Sequence, residues 1–79
     1  MHLSKKQLEC LIAFGKLLDK HGTPPTKREV AAEMGLTEDG ARLHLLELAR
    51  KGCLEEEKKL VTVSRKLTPL GKSWIKRSG

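Results

Sequence analysis

Apolar residues in the first quarter of the chain fall at Leu8, Leu11, Ile12, Gly15 and Leu18, with Phe14 and Leu17 as a second stripe. Intervals of three and four residues predict a helix over about 4–21, and the doubled stripe predicts that it is buried on more than one side. Ser4 and Gln7 have the spacing of a capping box, Leu3 and Leu8 bracket them as a hydrophobic staple, and Lys20-His21-Gly22 is a suitable C-terminus. Thr23-Pro24-Pro25 cannot continue a helix. Thr26 and Glu29 then repeat the capping-box pattern, opening a short helix over about 26–34 with Val30, Ala31 and Met34 inward.

Gly35 stops that helix, and after Leu36 alone Thr37-Glu38-Asp39 supplies another N-cap with acids in the first turn. A third helix follows over about 37–51, with Ala41, Leu45, Leu48 and Ala49 as its core stripe and Arg50-Lys51-Gly52 as its end. Cys53 to Glu56 and Leu60 to Ser64 read as two strands of a hairpin over about 53–65, turning around Glu57-Lys58-Lys59. The turn has no glycine to set its register. Thr68-Pro69 opens a last amphipathic helix over about 68–77 with Leu70, Trp74 and Ile75.

This order predicts a mainly α domain with a small β-hairpin: a winged helix-turn-helix of three helices, a wing and a short C-terminal helix. The 79 residues are too few for two cores, which favours one domain built from short helices. A turn as brief as Gly35-Leu36-Thr37 makes the second and third helices cross steeply, so the third projects outward and can enter a major groove.

Charge sharpens that picture. The chain carries a formal net charge of +6, the footprint of a nucleic-acid binder. The excess is uneven: from Lys58 onward there are seven cations and no acid, whereas residues 21 to 57 are net negative. No long apolar run or leader pattern is present, so the expected location is the cytoplasm, with no membrane contact. Cys10 and Cys53 lie far apart and His2, His21 and His44 are scattered, so neither a metal nor another cofactor is expected. No phosphate loop, nucleophile elbow or His-Glu-x-x-His pattern argues for an enzyme, and no small-molecule ligand suggests itself.

The stretch from Thr23 through Pro24, Pro25, Glu29, Val30, Ala31, Met34, Gly35 and Leu36, followed by His44-Leu45 and Leu48-Ala49-Arg50-Lys51-Gly52, resembles the N-terminal DNA-binding domain of LexA-type repressors over residues 3 to about 56. Leu67-Thr68-Pro69-Leu70-Gly71-Lys72 is instead similar to the helix after the wing in other winged-helix regulators, including the MarR type. The resemblance implies a transcriptional repressor that sets its third helix in the major groove of a palindromic operator as a homodimer. It does not extend to the self-cleaving Ser-Lys domain of such repressors, for which a chain ending at Gly79 leaves no room. Aligned back from His44, it places the base-contacting turn on Thr37, Glu38, Asp39, Gly40, Ala41 and Arg42, with Leu43 where that family has a polar residue.

On physical grounds Arg42 has the best claim to a base, since a guanidinium grips guanine O6 and N7 bidentately. The local alternative, an ion pair with Glu38 or Asp39, is weighed slightly above it. Lys27 and Arg28, at the start of the second helix, are expected on the phosphate backbone, as are Lys58 and Lys59 at the hairpin tip and Arg65 and Lys66 at its base. Glu55, Glu56 and Glu57 oppose the wing contribution unless they face away or pair. Thr37 is read as an N-cap first, and His44 as packing at the helix edge. Leu43 is assigned to the helix–wing junction ahead of a thymine methyl contact or a protein interface, while Trp74 and Ile75 are core or homodimer surface. The rival function is a winged helix that docks another regulator or polymerase through its acidic middle and through Leu43 and Leu46.

Overall fold

A computed structural model describes residues 2–58, 60 and 63–78. The element order is α1 (Lys5–His21), α2 (Lys27–Met34), α3 (Glu38–Arg50), β1 (Leu54–Lys58), β2 (Val63–Leu67) and α4 (Pro69–Ser78). The expected caps form. Ser4 Oγ accepts the Gln7 amide at 3.1 Å while Gln7 Oε1 accepts the Ser4 amide at 3.1 Å. Thr26 and Glu29 make the same reciprocal pair at 3.2 and 3.1 Å. Each box satisfies amides that no helical carbonyl can reach.

α1 is the hub, packed against α2, α3 and α4. Cys10, Leu11 and Phe14 of α1 meet Val30 and Ala31 of α2 and Ala41, Leu45 and Leu48 of α3, and Cys53 and Leu54 close the core from the hairpin side. Leu8, Met34, Ala49, Leu67, Trp74 and Ile75 flank this cluster, half-buried. Trp74 and Ile75 therefore pack against the core, and Ile75 sits directly over Gly15 of α1. Burial pushes the Cys10 thiol up to about 11 against the opposing pull of the Arg65 guanidinium, and burial also raises Cys53. Both thiols stay protonated and inert near neutral pH. Among the described residues no helix is long and apolar enough to cross a membrane.

Two close turns fix how the elements meet. Gly35 has φ +68°, which an L side chain rarely adopts. Its amide and that of Leu36 bond back to the carbonyls of Ala32 and Ala31, reversing the chain within two residues. At the other end of α3, the Cys53 amide bonds the Leu48 carbonyl at 2.9 Å and the Gly52 amide bonds that of Ala49 at 3.1 Å, turning the chain sharply into β1.

The hairpin is antiparallel, with Leu54 opposite Leu67, Glu56 opposite Arg65 and Lys58 opposite Val63. Both strands end later than the sequence suggests, β1 at Lys58 and β2 at Leu67. The longer ladder brings cross-strand ion pairs into register: Glu56 with Arg65 at 3.3 Å, and Glu57 with Lys66 at 3.7 Å. Lys58 thus ends β1 instead of capping a turn, and Lys59, Val61 and Thr62 lie outside the described residues.

α4 docks by backbone proximity. Thr68 Oγ1 accepts the Gly71 amide and donates to the Gly52 carbonyl, clamping α4 to the exit of α3. A Cβ on Gly71 would fall on the Cys53 carbonyl oxygen, which is backbone and cannot rotate away. Gly71→Ala is expected to cost about 1–3 kcal/mol, lowering the melting midpoint by roughly 4–8 °C per kcal/mol. A circular-dichroism melt coincident with that of the parent chain would refute the close approach.

Candidate nucleic-acid interface

α3 packs one side against α1 and α2 and leaves the other open. Ala41, Leu45 and Leu48 point into the core, whereas Glu38, Asp39, Arg42, Leu43 and Arg50 are exposed, with Leu46 and Glu47 at the margin. Thr37 caps the helix by accepting the Gly40 amide at 3.1 Å, as expected of it. His44 is half-buried at the edge of the helix.

The electrostatics of this face differ from the local pairing anticipated for Arg42. Glu38 bonds Arg28 across the corner, Oε1 to Nε at 3.5 Å, instead of Arg42 within its own helix. Among the described residues no acid forms an ion pair with Arg42, so its guanidinium is available to a ligand. The Arg28–Glu38 pair is well exposed and contributes little stability. Its geometric effect is to hold the cation at the start of α2 beside the first turn of α3. Lys27 is exposed next to it.

Three expectations need correction. Ala41 is fully buried, because its position on the inner stripe of α3 outweighs its place in the turn that the family resemblance marks for bases. Arg65 is not a surface cation: its side chain is 10% exposed, faces inward with Leu54 and Leu67, and pairs with Glu56. The reason is strand alternation. Once β2 begins at Val63, residues 63, 65 and 67 share one face, and the inner one must hold Leu67. Leu43 is 54% exposed instead of buried at a helix–wing junction, since the hairpin leaves α3 at its far end, beyond Gly52.

Lys58 and Lys66 remain exposed on the wing, although Lys66 is partly neutralised by Glu57. Glu55 lies on the outer face of the ladder opposite Lys66. Lys51 also acquires a role absent from the sequence reading: its Nζ donates to the His2 carbonyl at 2.8 Å and to Gln7 Oε1 at 2.6 Å, tying the end of α3 to the start of α1. A lysine at a helix C-terminus carries no sequence signal of such a distant partner.

A helix-turn-helix with an exposed outer helix face, an adjoining two-stranded hairpin and a closing helix defines a winged helix-turn-helix domain. The LexA DNA binding domain model matches residues 1–61, and the chain belongs to that family. The LexA repressor of Thermotoga neapolitana is 40% identical over 55 residues, covering 70% of this chain and 28% of that protein. The LexA repressor of Pseudomonas aeruginosa is 43% identical over 54 residues, 67% of this chain and 26% of that one. The chain thus spans little more than a quarter of the length of these curated relatives. S. aureus MepR, solved in a complex with DNA, matches the fold with a TM-score of 0.73 at 17% identity, over 95% of this chain and 53% of its own.

Proposed function

We infer that this domain binds double-stranded DNA for a cytoplasmic transcriptional repressor, with α3 in the major groove. The observation that carries the reading is the open outer face of α3, where Arg42 stands exposed and without an acidic partner among the described residues. Arg42 reads guanine through O6 and N7, and Asp39 presents an acceptor to a cytosine amino group. Thr37 and the amides of the first turn of α3 can approach a phosphate, where the helix dipole favours an anion. Lys27 and Arg28 hold the backbone beside the corner, while Lys58 and Lys66 reach it from the wing. Membership of the LexA DNA binding domain family and the DNA-bound state of MepR support the same partner. A homodimer on a palindromic operator completes the proposal, with half-sites about one helical turn apart.

An anisotropy titration against duplex DNA at several salt concentrations tests it. Binding should weaken steeply as salt rises, by about 0.9 log units per log unit of salt for each phosphate neutralised. Natively folded protein that shows no duplex binding near 50 mM salt would sink the proposal. Arg42→Ala should erase preference at one base pair, by roughly 5- to 150-fold, and Lys58→Ala should weaken all duplexes alike and make the salt dependence shallower. The reverse pattern would assign reading and anchoring to the wrong residues.

A further inference from the structure

The outer face of α3 holds one feature that charge does not explain. Leu43 is 54% exposed, the residue immediately after Arg42, and has Asp39 one turn before it and half-buried Leu46 nearly one turn after it. A large aliphatic side chain in that position gains nothing from water and contributes nothing to the core. Among the described residues the exposed part of α3 carries only two large apolar side chains, Leu43 and the edge of Leu46, which on their own supply far less than the roughly 800 Å² per partner that a stable protein interface buries. The neighbouring charged groups, Asp39 and Arg42, suit base edges.

The major groove offers one apolar group of matching size, the 5-methyl of thymine. Resting on the DNA-binding reading above, we propose that Leu43 is a specificity-determining residue that packs on a thymine methyl in each half-site. Leu43 directly follows Arg42 on the exposed part of α3, so the thymine lies close to the guanine that Arg42 reads. The domain consequently selects a guanine–thymine combination, with the thymine chosen by an apolar contact and not by a hydrogen bond.

Deoxyuridine presents the same hydrogen-bonding edge as thymidine and lacks only the methyl, which makes it a direct probe. Duplexes selected by the chain from a random pool are resynthesised with each half-site thymine replaced singly by deoxyuridine, and binding is measured by anisotropy for the parent chain and Leu43→Ala. One position is expected to weaken the parent about fourfold, the worth of one buried methyl, and to leave Leu43→Ala unchanged. Because Leu43 is exposed, Leu43→Ala should melt with the parent chain, and Leu43→Met should restore the methyl sensitivity. Selective binding with no methyl-sensitive position, or a sensitivity that Leu43→Ala retains, overturns the assignment of Leu43 alone. Failure of the parent chain to bind any duplex overturns the DNA-binding reading and this inference together.

Discussion

Glu56→Ala is expected to destabilise the fold by about 2–3 kcal/mol, whereas Arg65→Met should change stability by less than about 1 kcal/mol. Arg65 lies with its side chain 10% exposed beneath the hairpin, and Glu56 is its only ion-pair partner among the described residues, at 3.3 Å. Its Nε is buried without a hydrogen-bond acceptor among those residues. Removing the carboxylate leaves a desolvated cation, which costs 3–5 kcal/mol at a fully buried site. The figure is lower here because Glu56 is 25% exposed and water can reach the pair. Methionine keeps the length and apolar stem of Arg65 without the charge, and the Glu56 carboxylate left behind can turn to water. Urea midpoints at unchanged slope measure both effects.

The same pair of variants separates a structural arginine from a DNA contact. Arg65→Met should leave the salt dependence of duplex binding as it is, whereas loss of a phosphate contact would make it shallower by about 0.9. A shallower slope would return Arg65 to the DNA surface, and equal destabilisation by the two substitutions would overturn the account of Arg65 as a buried cation that needs Glu56.

Phe14→Ala should have the largest effect of any single substitution. Phe14 is the largest fully buried side chain and the chain's one phenylalanine, and it lies in the same cluster as Leu11, Val30, Leu45 and Leu48. Such a truncation costs about 3–5 kcal/mol through lost burial and the cavity that remains. At roughly 0.05–0.15 kcal/mol per residue, a domain of this length holds only about 4–12 kcal/mol in total. Much of the variant should therefore be unfolded at 37 °C, visible as lost amide dispersion in a nitrogen–proton spectrum. Phe14→Leu, which leaves a smaller void, should stay folded. A Phe14→Ala chain that melts within a few degrees of the parent would show that the core does not depend on this ring.

Most of the helical framework was legible in the primary structure because its signals are local. The capping boxes at Ser4–Gln7 and Thr26–Glu29 require residues three apart, and they form as read. Gly35 marks the corner because a positive φ is a property of one residue. The inner stripes of α1 and α3 follow from helical periodicity, and the amphipathic pattern likewise placed α4. Whole-molecule charge likewise suggested nucleic acid as the partner.

What depended on residues distant in sequence was not legible in this way. The hairpin register is settled by Leu54 meeting Leu67 over the core and by the Glu56–Arg65 and Glu57–Lys66 pairs, thirteen residues apart in the first case and nine in the other two. A turn without glycine offers no local cue to that pairing, and a shift in register reverses which side of the strand faces inward. Continuing β2 to Leu67 put Arg65 within the ladder and on its inward face, away from the phosphate surface expected for it. Leu43 was likewise placed by the path of the hairpin away from α3, and Glu38, one of the two local partners open to Arg42, pairs instead with Arg28, ten residues before it. Local chemistry along the chain thus specifies the helices, their caps and the corner between α2 and α3. Which cations face outward is decided by packing and cross-element pairing, since burial and ion-pair competition exist only once separate elements meet.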